Sequence, residues 1–175
     1  MIGSVVPQEI ERKFLVANDG WRCFADAGRG LSQAYLCETD RAVVRLRIVD
    51  GAEAFLTIKS AEAGLSRAEF EYAVPREDAE RLMDLRHGGV LAKTRFRVLH
   101  AGSTWEVDVY SGDNEGLVIA EIELESETAA LDLPPWLGAE VTGEARYYAS
   151  RLARHPFRAW SDPGSSEDRH GYARG

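Results

Sequence analysis

Read at period two, the stretch from Gln8 to Val16 sets Glu9, Glu11 and Lys13 on one face and Ile10, Phe14 and Val16 on the other, with Arg12 as the exception. Strict alternation of this kind predicts a β-strand buried on its apolar side. The pattern recurs along the chain. Ala42 to Val49 opposes Val44, Leu46 and Ile48 to Arg45 and Arg47, and Asp50-Gly51 then signals a hairpin into Glu53 to Ser60, which brings Thr57 and Lys59 to one face. Ser66 to Val74 alternates Arg67, Glu69 and Glu71 with Ala68, Phe70, Tyr72 and Val74. Leu91 to His100 carries Lys93, Arg95 and Arg97 on one side, Trp105 to Tyr110 carries Glu106 and Asp108, and Leu117 to Glu125 carries Glu121, Glu123 and Glu125. Leu31 to Cys37 completes the set.

The period changes only briefly. Pro75 to Arg86 places Ala79, Leu82 and Met83 at helical spacing and ends at Gly88-Gly89. A short helix or loop is expected over Trp21 to Ala27 with Asp19 as its N-cap, Pro134-Pro135-Trp136 marks a loop or helix start, and a short helix is expected over Glu144 to Arg154. About eight strands, mostly joined by hairpins, favour an antiparallel sheet, and closure removes its exposed edges. The expected fold is therefore α+β, mainly β: an eight-stranded antiparallel β-barrel or tunnel with peripheral helices. It forms one domain over 1–160, followed by a disordered tail over 161–175 that is rich in Ser, Gly, Asp and Arg.

Composition narrows the partners. A net charge of −8 over 175 residues disfavours double-stranded nucleic acid, which demands a basic surface. A small anion held by a local basic cluster remains open. There is no apolar run long enough for a membrane span and no basic, apolar leader. Cys23 and Cys37 lack metal-ligand spacing and read as reduced thiols of a cytoplasmic protein.

The charged faces carry the chemistry. Signs are alike within most strands: Glu9 with Glu11, Arg45 with Arg47, Glu69 with Glu71, Lys93 with Arg95 and Arg97, Glu121 with Glu123. A solvated sandwich face laced with cross-strand salt bridges is the plain alternative, but such a face would mix signs. Segregated signs inside one closed sheet make two poles. Carboxylates at i and i+2 can converge on a hard cation such as Mg2+, while arginine forks and lysines suit phosphates. There is no Walker-type loop and no GxGxxG fingerprint.

Glu9-Ile10-Glu11-Arg12-Lys13 resembles the ExExK signature of the CYTH, or triphosphate tunnel metalloenzyme, superfamily. Val44-Arg45-Leu46-Arg47, Leu56-Thr57-Ile58-Lys59, Arg67-Ala68-Glu69-Phe70-Glu71, Lys93-Thr94-Arg95, Trp105-Glu106-Val107-Asp108 and Ala120-Glu121-Ile122-Glu123 follow in that family's order. Val141-Thr142-Gly143 and Arg146-Tyr147-Tyr148-Ala149-Ser150 resemble the end of its small bacterial branch. The resemblance covers about Pro7 to Arg154. It implies an enzyme that hydrolyses inorganic triphosphate to pyrophosphate and phosphate with Mg2+ or Mn2+. The alternatives are a class IV-type adenylyl cyclase, a thiamine triphosphatase, or a polyphosphate-binding module without turnover. By the same resemblance Glu9, Glu11 and Glu123 would hold one metal. Asp108 and Glu121, sharing Glu123, would hold a second that positions water. Lys13, Arg45, Arg47, Lys59, Lys93 and Arg95 would grip the phosphates, with Lys59 and the three carboxylates Asp108, Glu121 and Glu123 as the catalytic set. Glu69, Glu71 and Glu106 would orient the bases, Tyr35 would gate the mouth or pack in the core, and a homodimer would suit the branch.

Overall fold

The computed structural model describes residues 8–60, 66–126 and 128–160, with only the backbone of Gln8, Glu9, Ser66 and Arg67. Nine strands form one antiparallel sheet: β1 (Gln8–Val16), β2 (Arg29–Glu38), β3 (Ala42–Val49), β4 (Glu53–Ser60), β5 (Ser66–Val74), β6 (Leu91–His100), β7 (Ser103–Ser111), β8 (Val118–Glu123) and β9 (Leu137–Glu140). Their spatial order is β5-β4-β3-β2-β6-β7-β8-β1-β9, and β5 also pairs with β1. The first eight strands thus curl into the expected barrel. Among the described residues closure rests on three pairs: Gln8, Glu9 and Ile10 face Ala68, Arg67 and Ser66. Further along the same edge of β1, Phe14 and Val16 pair instead with Glu140 and Leu137 of β9.

Two helices were expected and two form, both shorter than the sequence suggests: α1 (Arg76–Met83) and α2 (Ala149–Leu152). The expected C-terminal helix is broken, because its first residues make a separate 3-10 turn, Ala145–Tyr147, and Tyr148 between them is extended. A 3-10 helix also spans Asp19–Phe24, and its cap is Asn18, whose Oδ1 accepts from the Gly20 amide at 3.0 Å, rather than Asp19. The segment after Pro134-Pro135-Trp136 is the strand β9 and not a helix. Among the described residues no helix is long and apolar enough to cross a membrane. The expected tail, 161–175, lies outside them.

Alternation sends apolar side chains to three places. Outside the barrel, Phe14, Trp21, Trp105, Val107, Ala120 and Trp136 pack under the 3-10 helix and the segment leading to β9. On another outer face, Leu82 and Met83 of α1 cover Leu46, Ile48 and Leu56. Inside, one end of the barrel is filled: Tyr35, Leu91, Tyr110 and Ile119 meet Tyr147, Leu152 and Ala153 of the C-terminal segment. Asn114 pins that segment in place, its Oδ1 accepting from the Phe157 amide at 2.8 Å. Tyr35, at 6% exposure, is therefore part of the packed end.

Trp105 is the centre of the first outer cluster. It is 0% exposed, with ring contacts to Phe14 and Trp136 at 5.7 Å each. Removing it leaves a cavity that rigid strands cannot collapse. Trp105→Ala is expected to destabilise the fold by about 3–5 kcal/mol, read as a lower urea midpoint.

Candidate active site

Strand order turns the like-signed strands into two arcs. β7, β8, β1 and β5 are consecutive around the barrel and carry Glu106 and Asp108, Glu121 and Glu123, Glu9 and Glu11, and Glu69 and Glu71. β4, β3, β2 and β6 are also consecutive and carry Lys59, Arg45 and Arg47, and Lys93, Arg95 and Arg97, while β2 presents Gln33 and Tyr35. Between the arcs lies a cavity of about 1330 Å³, lined from both sides by Glu11, Lys13, Arg45, Arg47, Lys59, Glu69, Glu71, Lys93, Arg95, Glu106, Glu121 and Glu123 among others. The two poles expected from the sequence are faces of one chamber.

Ion pairs stitch the arcs where they meet. At the β4–β5 border Lys59 Nζ lies 2.8 Å from Glu69, and Arg47 Nη2 donates to Glu71 at 2.7 Å. Thr57, fully buried, donates to the same Glu71 oxygen at 2.9 Å and accepts from Arg45 Nη2 at 3.2 Å. At the β6–β7 border Arg95 grips Asp108 with Nε at 2.7 Å and Nη2 at 2.6 Å, and also binds Glu106. Its Nη2 reaches Glu121 at 2.8 Å. These contacts place Glu69, Glu71 and Glu106 beside the bases, as expected. Bidentate arginine–carboxylate geometry fixes the fork rather than leaving it to solvent.

The centres of the arcs are less well matched. Glu11 stands directly opposite Glu123 across β1 and β8, and like charges in that position repel. Lys13 relieves Glu11 at 3.1 Å and Glu121 at 2.5 Å, but Glu123 has no ion pair among the described residues. Across the chamber, Arg45 Nε and Arg47 Nε are buried without a hydrogen-bond acceptor. Burial, aided by repulsion from Arg45, lowers the Arg47 pKa. Glu121 responds in the opposite sense: burial alone would raise its pKa, but Lys13, Arg95 and Lys93 together outweigh it and hold the carboxylate well below its ordinary value. The same partners act back on Lys13, whose pKa is raised because Glu121 and Glu11 outweigh its burial.

The residues expected from the sequence largely meet here, with two exceptions. Asp108 is 0% exposed and lies behind Lys93 and Arg95, both bonded to it, rather than on the chamber wall. Alternation assigns it to the inner face, but its two cations cover it. The Glu9 side chain is outside the described residues, although its strand position beside Arg67 sets it at the barrel seam. Among the described residues no three His, Cys, Asp or Glu side chains are gathered as a metal site. Two polar residues that the charge pattern passed over also belong here: Thr57, which bridges Arg45 to Glu71, and Gln33, which lines the chamber. The signal for Gln33 was available, as a polar residue on the same face of its strand as Tyr35.

Lys93 is buried between Asp108 and Arg95. Burial first, and Arg95 second, depress its pKa to about 8 despite the contact with Asp108. Between there and the ordinary lysine value of 10.5, the unfolded chain binds the proton and the native one gives it up, so stability rises with pH across that window. Below it both states are charged and the penalty is fully present. Unfolding free energies measured from pH 7 to 10 are expected to show this climb in the wild type and to lose it in Lys93→Met.

Comparison with known proteins agrees with this geometry. The CYTH domain matches residues 7–154. An inorganic triphosphatase of Acetivibrio thermocellus is 39% identical over 89% of this chain and 99% of its own, and one of Nitrosomonas europaea is 41% identical over 83% and 96%. A solved inorganic triphosphatase structure, 37% identical, covers 83% of this chain and 97% of that chain at a TM-score of 0.61.

Proposed function

The chain belongs to the CYTH domain family, and on that premise we propose that it hydrolyses inorganic triphosphate to pyrophosphate and phosphate within the two-poled chamber. The observation that carries the reading is the mismatch at the arc centres: unsatisfied guanidinium N–H groups on one wall, and opposed carboxylates on the other. A metal-bound polyphosphate supplies the missing charge to both. Triphosphatases of similar sequence bring the substrate class.

The roles follow from position. Arg45, Arg47, Lys59, Lys93 and Arg95 bind phosphate oxygens, and because they already lie along the wall in fixed ion pairs, little reorganisation is needed to take up the negative charge of the departing pyrophosphate. Lys13 joins them from the acidic side. Glu11 and Glu123 fit a divalent cation, with Glu9 as third ligand; their oxygens are hard donors in a pair that repels without one. A bound Mg2+ or Mn2+ would supply charge withdrawal from the phosphate being attacked. Glu121, held anionic, accepts a hydrogen bond from the attacking water and orients it in line; the water adds to a terminal phosphorus, the bridging oxygen leaves with pyrophosphate, and the water's protons pass to solvent and product. Phosphoryl transfer of this loose kind needs positioning more than a strong base, which suits a carboxylate of low pKa. Asp108 acts from behind, fixing Lys93 and Arg95. Two exposed free cysteines suit a reducing, cytoplasmic setting.

Phosphate release from inorganic triphosphate, thiamine triphosphate, ATP, longer polyphosphate and pyrophosphate, in Mg2+ and then Mn2+, tests the assignment. Metal-dependent release from triphosphate, with pyrophosphate uncleaved, is expected. Release from thiamine triphosphate alone, or cyclic product from ATP, would overturn the substrate. Glu121→Gln is expected to lose turnover by roughly 100-fold or more while still binding triphosphate in calorimetry. Glu123→Gln is expected to raise the metal concentration at half-maximal rate about tenfold.

A further inference from the structure

Gln33 is 1% exposed, lies on β2 and lines the chamber, yet its Nε2 has no hydrogen-bond partner. Buried amides are nearly always bonded, and one left open signals either a cost or a missing ligand. Its surroundings favour the ligand. Among the described residues, β2 is the one strand of the basic arc that adds no cation to the chamber lining, and it is set between β3 and β6. Gln33 is the direct cross-strand partner of Arg47, and Arg45 stands two residues away on the same face of β3. The orphaned donors Gln33 Nε2, Arg45 Nε and Arg47 Nε therefore belong to adjacent strands of one wall. Three unsatisfied donors on one wall match the oxygens of a tetrahedral anion.

Resting on the triphosphatase reading, we propose that Gln33 is a substrate-binding residue, an uncharged donor that holds a phosphate oxygen between Arg47 and the β6 cations. The terminal torsion of glutamine is soft, so the carboxamide turns in place to present an N–H without moving its backbone. The choice of an amide has a physical reason. A third cation at this point would stand beside Arg45 and Arg47, where burial and mutual repulsion already weaken Arg47. A neutral donor adds a hydrogen bond without that repulsion. It also makes the wall's recognition directional, because an amide rewards an oxygen in one place whereas a point charge attracts an anion anywhere nearby.

The test separates binding from packing. Gln33→Met keeps the length and removes the donor. Calorimetric titration with inorganic triphosphate is expected to show about tenfold weaker binding, with KM raised more than kcat is lowered. The ligand-free Tm is expected to stay the same or rise, because a buried orphan donor has been removed. Gln33→Glu keeps the shape but offers an acceptor, and is expected to weaken triphosphate binding further. Unchanged triphosphate affinity in both variants, or a lower ligand-free Tm in Gln33→Met with affinity intact, would overturn the proposal and make Gln33 a packing residue. If the wild type binds triphosphate but releases no phosphate, the hydrolase reading fails while the titrations still decide the role of Gln33.

Discussion

The ion pairs at the two borders, Lys59 with Glu69 and Arg47 with Glu71 on one side, Arg95 with Asp108 and Glu106 on the other, are what allow this barrel to have a charged interior at all. Taking a charge from water into a protein costs several kcal/mol unless a partner and hydrogen bonds compensate it. An interior lined by acids and bases is tolerable only if each finds its opposite, and the strand order achieves this at the edges where the arcs meet. The same order leaves the arc centres undercompensated. Glu11 faces Glu123, and the inner nitrogens of Arg45 and Arg47 have no acceptor. Stability and function thus draw on one arrangement: the borders hold the sheet, and the centres present charges and donors that a ligand of both signs can meet.

Uptake of that ligand is an exchange of partners more than a filling of space. Arg95 binds Asp108, Glu106 and Glu121 at once, and Lys13 is shared by Glu11 and Glu121. Each carboxylate in these sets lowers the electrostatic demand of a cation before substrate arrives. The result is a chamber whose cations are held in position by their own counterions and need not be ordered at the moment of binding, which is the advantage of preorganisation.

Much of this was legible in the chain. Bounds for β1, β3, β4, β5 and β6 could be read from alternation, because these strands separate an apolar outer face from a charged inner one. β9 could not: Leu137–Glu140 holds four residues, has little alternation, and follows two prolines. Its place is set by the free edge of β1, a tertiary circumstance. The expected helix over Glu144 to Arg154 does not form in one piece, because Tyr147 and Leu152 both pack into the barrel end and Tyr148 between them is extended. In the site, period two identifies the face of a residue and not its depth. Asp108 shares a face with Glu106 but is covered by Lys93 and Arg95. Gln33 is silent in the pattern of charges for another reason, since an amide carries none. The family resemblance supplied the reaction; the arcs explain why these strands suit it.

Among the described residues, β1 is held on one edge by two different strands, by β5 through three residue pairs at its start and by β9 near its end, whereas β6 and β7 share nine pairs. Resistance to opening scales with the contacts that must be broken together, and among the described residues this ladder is the shortest of those that close the barrel, one pair fewer than β7 with β8, so opening is expected to start there. Glu9 lies in that seam and Glu11 just beyond it. A fluctuation that separates the described pairs would displace this stretch of β1 while every other ladder persists. Thermal inactivation would then precede melting, with backbone amides near Ile10 and Ser66 exchanging with solvent in a protein still otherwise native.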